Sequence, residues 1–150
     1  MSDIRMKPIG TVRVLDEGGL SRIEIFDEYE PALLGIEGFS HLLILYWMHK
    51  LPEGERGILR VHPRGRPDLP LVGVFASRSK ARPNPIGLTV VELVGRSGRE
   101  LVVRGLDALD GSPVIDIKPY IPISDRAPRP RVPKWVRRLE GAGMPKGDGH

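Results

Sequence analysis

The chain contains no cysteine, which excludes a disulfide framework, a thiolate zinc site and a cysteine nucleophile, and fits a reducing compartment. Aromatic residues are scarce at 5%, so a broad base-stacking platform is a weak reading. Long apolar runs are missing as well. The longest, Leu42 to Met48, is far short of the roughly 20 residues that cross a bilayer. No charged-then-apolar leader opens the sequence. The expectation is a soluble, cytoplasmic protein with no membrane partner. Neither a G-x-G-x-x-G fingerprint nor a Walker-type loop occurs, and no internal repeat is visible.

What is present suits one domain: 150 residues, 40% of them hydrophobic, are enough for a core that needs no covalent staple. The net charge is +4 and the pI is near 9.7. Its distribution says more than its sum. Between Arg126 and Lys146, Arg126, Arg129, Arg131, Lys134, Arg137, Arg138 and Lys146 face the single carboxylate Glu140. The composition changes there, with Pro128, Pro130 and Pro133 spacing the arginines. We therefore divide the chain into a folded domain over 1–125 and a basic, proline-rich tail over 126–150. The tail reads either as a phosphate-contacting element or as a solvated extension.

Pro8 to Leu15 and Leu20 to Phe26 are β-rich and separated by Asp16-Glu17-Gly18-Gly19, which predicts an opening hairpin. Glu28 to Leu34 predicts one short helical turn, with Pro31 early in it and Gly35 ending it. Leu42 to Trp47 reads as a strand buried on both faces. Leu51 to Gly57 and Pro63 to Pro70 read as loops on either side of a short strand, Ile58 to His62. Leu71 to Ala76, Thr89 to Val94 and Leu101 to Arg104 are β-type runs, the last two joined through Gly95 to Glu100, and Ile115 to Ile117 adds a brief strand. Lys134 to Leu139 predicts a terminal helix, with disorder from Gly141 to His150. Many short strands with one or two short helices predict a mostly-β chain, a small single-sheeted antiparallel barrel.

Two segments concentrate chemistry. In Phe75 to Gly87, three cations and an amide stand beside Pro83 and Pro85. Arg82 and Asn84 each precede a proline and are pushed toward extended backbone, which stiffens the segment before a ligand arrives. The plain alternative is a basic connection whose prolines discourage edge pairing. In Leu106 to Tyr120, Asp107, Asp110 and Asp116 gather with Lys118 and Tyr120 around an Asp110-Gly111 turn. The three-residue spacing of Asp107 and Asp110 raises a divalent metal, but the rest of a calcium loop is missing, so no metal is expected. Turn capping and ion pairing to Arg78, Arg82 or Lys118 is the other role open to these carboxylates. His41, His49 and His62 lack metal-ligand spacing and read as packed or solvent-facing. His41, after Gly38-Phe39-Ser40 at a strand entrance, has the best claim of the three.

The ordered motifs Gly73-Val74-Phe75-Ala76-Ser77-Arg78, Arg82-Pro83-Asn84-Pro85-Ile86-Gly87, Asp107-Ala108-Leu109-Asp110-Gly111-Ser112-Pro113 and Asp116-Ile117-Lys118-Pro119-Tyr120 resemble the TsaA-like, TrmO-type tRNA methyltransferase family. The likeness extends upstream through Pro8-Ile9-Gly10 and Ile36-Glu37-Gly38-Phe39-Ser40-His41, and so covers roughly residues 4 to 125. It implies a single-sheeted β-barrel that works as a homodimer, with S-adenosylmethionine held close to the subunit interface. The implied reaction is methylation of N6 of N6-threonylcarbamoyladenosine at position 37, in the tRNA anticodon loop.

On that resemblance, Phe75, Ser77, Arg78, Asn84, Pro85, Ile86 and Gly87 are assigned to the cofactor side. Arg82, Lys118, Tyr120 and His41 are assigned to the substrate side. The acceptor nitrogen belongs to a urea-like group and is a poor nucleophile, so its proton must leave as it attacks. Asp107, Asp110 and Asp116 are the candidate catalytic groups, unranked. The threonyl carboxylate invites a two-pronged grip by Arg78 or Arg82. Two other readings stay open: the same fold acting on another nucleoside or a small molecule, and a nucleic-acid-binding barrel without catalysis.

Overall fold

Strand β1 (Gly10–Val14) turns through Gly18 and Gly19 into β2 (Leu20–Ile25). Both glycines have φ near +67°, a conformation that a side chain would penalise. The computed structural model describes residues 2–15 and 18–141. Asp16 and Glu17 of the expected turn, and 142–150 of the expected disordered end, lie outside the described residues. The chain divides into two compact units, Met1–His49 with Ile86–Tyr120, and Lys50–Pro85 with Ile121–His150.

The first unit is a closed antiparallel barrel. After β1 and β2 it uses β3 (His41–Trp47), β6 (Ile86–Ser97), β7 (Glu100–Arg104) and β8 (Pro113–Pro119), in the order β1-β2-β7-β6-β3-β8. The sheet closes where Gly10 and Thr11 pair with Val114 and Pro113, so no long edge is left to pair with other chains. Alternation fills the interior: Val12, Ile23, Leu42, Ile44, Leu101, Val103 and Val114 have no solvent exposure at all. A 3-10 segment, Asp27–Leu33, carries Pro31 and buries Leu33.

Several expected strand limits change. β3 is buried on one face only: Leu42, Ile44 and Tyr46 point inward, while Leu43, Leu45 and Trp47 are half-buried. A closed barrel has one filled interior, and its outer positions need only partial cover. β6 runs for 12 residues, through the Gly95 region read as a connection. A bulge between Leu93 and Gly95 absorbs one residue and re-pairs Gly95 with Val102. β8 extends on both sides of the brief strand expected at Ile115 to Ile117.

The second unit has little regular structure. β4 (Arg60–Val61) and β5 (Val72–Gly73) form a two-residue ladder, shorter than the runs Ile58 to His62 and Leu71 to Ala76. The chain leaves β5 for a 3-10 turn at Val74–Ala76, and Ser77 Oγ donates back to the Val74 carbonyl at 3.0 Å. Glu53–Gly57 and Pro63–Gly65 are further 3-10 turns inside the expected loops. Helices α1 (Pro122–Asp125) and α2 (Lys134–Gly141) follow. Leu139 of α2 is fully buried, and Arg138 reaches Asp68 at 3.1 Å.

Candidate functional site

In the first unit the chemistry centres on Asp107, at the barrel end where β3 leaves and β6 enters. Tyr46 and Gly87 are direct partners in the β3–β6 ladder. The Tyr46 ring takes the volume that a side chain at Gly87 would fill: an added Cβ would lie 2.6 and 2.7 Å from two ring carbons and closer still to Cζ. Tyr46 is only 3% exposed, so its hydroxyl needs a protein acceptor. It donates to Asp107 Oδ1 at 2.9 Å. Thr89 Oγ1 donates to the same oxygen at 2.5 Å. Burial, then the Asp107 charge and the hydrogen bond to it, raise the Tyr46 phenol far above its ordinary pKa. The phenol is therefore a fixed donor that holds the carboxylate.

The same end carries the Asp110 turn. Asp110 Oδ1 accepts from the Val14 amide at 2.9 Å, and the Gly111 amide donates to the Val12 carbonyl at 2.8 Å. These bonds tie the turn to β1. Ser112 is 1% exposed. Its hydroxyl donates to the Leu109 carbonyl at 2.6 Å and lies 3.5 Å from Nδ1 of His49.

Asp116 sits apart from this group. Its Oδ1 accepts from the Ile117 amide at 2.9 Å and its Oδ2 pairs with Lys118 at 3.1 Å. It also lines a cavity of about 330 Å³ toward the barrel's other end, with Ile9, Ile25, Tyr29, Leu33 and Ile117. His41 and Tyr120 meet at that end. Their rings pack edge to face at 6.4 Å, and the Tyr120 amide donates to the His41 carbonyl at 3.0 Å. The three aspartates thus do not form one cluster. Among the described residues, no group of three His, Cys, Asp or Glu side chains is placed to hold a metal.

In the second unit Arg82 organises the loop from Val74 to Pro85. Its Nε donates to the Ser79 carbonyl at 2.6 Å, and its Nη2 to the Val74 and Ser77 carbonyls, each at 2.7 Å. Ser77 Oγ accepts from the Ser79 amide at 3.2 Å, and Arg56 fastens the far side to the Pro83 carbonyl at 2.7 Å. Arg78 is exposed. Phe75 is 82% exposed, and Asn84 is exposed with its Oδ1 3.5 Å from Arg56. Of the two arginines considered for a carboxylate grip, Arg82 clasps its own loop and Arg78 is the one turned to solvent. Pro85 is buried, and Ile86 and Gly87 open β6 in the first unit.

Sequence reasoning missed Tyr46, Thr89, Ser112 and His49. For Tyr46 a signal existed: its parity with Leu42 and Ile44 sends a phenol into the core, and a buried phenol requires an acceptor. His49 carried no such signal, because Ser112 is 63 residues away in the chain.

Comparison with known proteins identifies the family. A "Probable S-adenosyl-L-methionine-binding protein" of Methanothermobacter thermautotrophicus is 51% identical over 134 residues, which is 80% of this chain and 93% of that one. The S-adenosyl-L-methionine-binding protein of Archaeoglobus fulgidus is 53% identical, covering 81% of this chain and 78% of that one. A crystal structure of TrmO superposes with a TM-score of 0.69 at 33% identity, over 87% of this chain and 64% of that chain. This chain therefore spans less than two thirds of that TrmO. Residues 9–126 match the tRNA-methyltransferase O N-terminal domain, and the chain belongs to that family.

Proposed function

We propose that this protein transfers a methyl group from S-adenosylmethionine to N6 of N6-threonylcarbamoyladenosine at position 37 of tRNA, acting as a homodimer in the cytoplasm. The observation that carries the reading is the family match over residues 9–126. The S-adenosylmethionine-binding relatives that match most of this chain support the choice of methyl donor.

The residues present fit that donor. Phe75 offers an exposed ring to a purine, Asn84 an amide to ribose hydroxyls, and Arg78 a solvent-facing cation to a carboxylate. Ser77, Pro85, Ile86 and Gly87 complete the assignment, and the Arg82 clasp fixes the loop in advance. When bound, the donor supplies an electrophilic methyl on a sulfonium. The chain's part is to hold acceptor and donor in line and to remove the acceptor proton. Asp107, fixed by Tyr46 and Thr89, orients the acceptor; Asp110 secures the turn beside it, and Asp116, toward the other end of the barrel, holds Lys118. Lys118, Tyr120 and His41 contact the RNA. The tail after residue 125 presents Arg126, Arg129, Arg131, Lys134 and Arg137, all exposed, to backbone phosphates of the anticodon stem-loop.

The test is mass spectrometry of nucleosides from threonylcarbamoylated tRNA incubated with the protein and methyl-labelled S-adenosylmethionine. A label on threonylcarbamoyladenosine is expected. A label on another nucleoside moves the substrate within the same chemistry, and no heat of S-adenosylmethionine binding in calorimetry overturns the enzymatic reading.

A further inference from the structure

The methyl acceptor must lose a proton, and the three aspartates are occupied with structure. Asp107 Oδ1 takes two hydroxyl donors, Asp110 holds the Val14 amide, and Asp116 pairs with Lys118. At the Asp107–Asp110 end of the barrel a different group is available. His49 follows β3 by two residues and is half-buried against the turn that carries Asp110. A Cβ at Gly111 would lie in contact with its Nε2, at 3.8 Å, so the glycine keeps a side chain off that side of the ring.

The proton inventory favours one tautomer of the ring. A serine hydroxyl has one proton, and Ser112 gives it to the Leu109 carbonyl at 2.6 Å. Toward His49 Nδ1, 3.5 Å away, the same oxygen can then only accept, which favours the tautomer with its hydrogen on Nδ1. In the neutral ring Nε2 then bears the lone pair. Among the described residues no hydrogen bond is found at Nε2. Ser112 in this arrangement selects a tautomer, as the partner of a catalytic imidazole does.

We propose that His49 Nε2 is the proton acceptor of the methyl transfer, with Ser112 and the Leu109 carbonyl as the positioning pair that sets its tautomer. This rests on the methyltransferase reading above. The C–N bond forms as the C–S bond breaks. Sulfur keeps the electron pair and leaves as a neutral thioether, and the acceptor nitrogen's proton passes to Nε2, giving an imidazolium that solvent later deprotonates.

Two measurements test it. Long-range proton–nitrogen NMR of the full chain, without donor or RNA, is expected to show His49 protonated on Nδ1 and bare on Nε2; the opposite tautomer overturns the proposal. Single-turnover methylation of a threonylcarbamoylated stem-loop by His49→Ala is expected to be slower by a hundredfold or more. Its heat of S-adenosylmethionine binding should be unchanged, and added imidazole should restore at least tenfold of the rate. A rate within fivefold of wild type, or a loss that imidazole does not restore, overturns the role of His49 and leaves the methyltransferase reading standing. A wild-type protein that binds no S-adenosylmethionine removes both.

Discussion

Replacing Gly87 by alanine tests the link between the barrel core and the candidate site. The new Cβ would stand 2.6 and 2.7 Å from two carbons of the Tyr46 ring, whereas carbon contacts are comfortable at about 3.5–4.0 Å. Gly87 and Tyr46 are register partners on adjacent strands, so neither backbone moves without disturbing the ladder, and the ring must withdraw by about 1 Å to reach ordinary contact. Overpacking of this kind costs about 1–3 kcal/mol. The same withdrawal breaks the 2.9 Å bond from the phenol to Asp107, and hydrogen bonds to charged groups contribute about 1.5–3 kcal/mol. The sum is about 4 kcal/mol, which for a chain of this size lowers Tm by roughly 8–16 °C. Scanning calorimetry measures it. A double-mutant cycle with Tyr46→Ala isolates the cause, because the three atoms nearest the added methyl all belong to that ring, and without it Gly87→Ala should cost under about 1 kcal/mol. A Tm within 2 °C of wild type for the single variant, or an equal cost in both backgrounds, refutes the reasoning.

Other perturbations separate roles. Asp107→Ala strands two hydroxyls, one on Tyr46 and one on the buried Thr89, and should cost about 3 kcal/mol, against about 1 for Asp107→Asn, which keeps an acceptor oxygen; equal losses in urea unfolding count against the network. The Tyr46 phenol, held protonated by burial and by Asp107, should add no phenolate absorbance as the solution passes about pH 10, where an ordinary phenol ionises. Because its folded pKa lies above its unfolded one, its contribution to stability is whole below about pH 10 and is lost as the pH rises further; difference titration against Tyr46→Phe tests this, and a phenolate appearing near pH 10 sinks it. Arg82→Lys replaces a fork on three carbonyls by a point charge, so amide exchange over 77–82 should accelerate and S-adenosylmethionine binding weaken more than tenfold. Arg78→Lys should weaken binding with exchange unchanged, and identical behaviour of the two variants contradicts the distinction between clasp and contact.

The barrel was legible wherever one physical rule governed a segment. The β-rich runs around Leu42, Val91 and Val103 mark strands that the barrel uses, and the paired glycines place the first turn, but β3 reads from its sequence as buried on both faces, which leaves its alternation unused. The rule failed where a local exception let a strand continue. Gly95 and Arg96 look like a turn, yet the bulge beside Leu93 lets them stay in β6. Pro113 and Pro119 look like stops, yet they stand at the ends of β8, where a missing amide donor is tolerated. The site was legible as a set of residues and illegible as an arrangement. Nothing local says that Arg82 turns back onto the carbonyls of Val74, Ser77 and Ser79, or that Tyr46 meets Asp107 from 61 positions away. Asp107, Asp110 and Asp116 look equivalent in the chain, but Asp116 lies within β8, paired with Leu45 of β3, and so meets a different environment.

Closure also explains why the chemistry collects at the barrel's rim. An interior packed with Val12, Ile23, Leu42, Ile44, Leu101 and Val114, each without solvent exposure, has no room for a ligand in its middle, so polar groups that must meet one are confined to the ends. Tyr46 bridges the two regimes, with a ring that belongs to the core and an oxygen that reaches the rim. Asp107 is thereby tied to the barrel interior through Tyr46 and Thr89. A carboxylate anchored in this way keeps its place when the surrounding loop moves, but it transmits any repacking of the core to the site. Substitutions on β3 and β6 near Tyr46 and Gly87 should therefore alter activity before they unfold the protein.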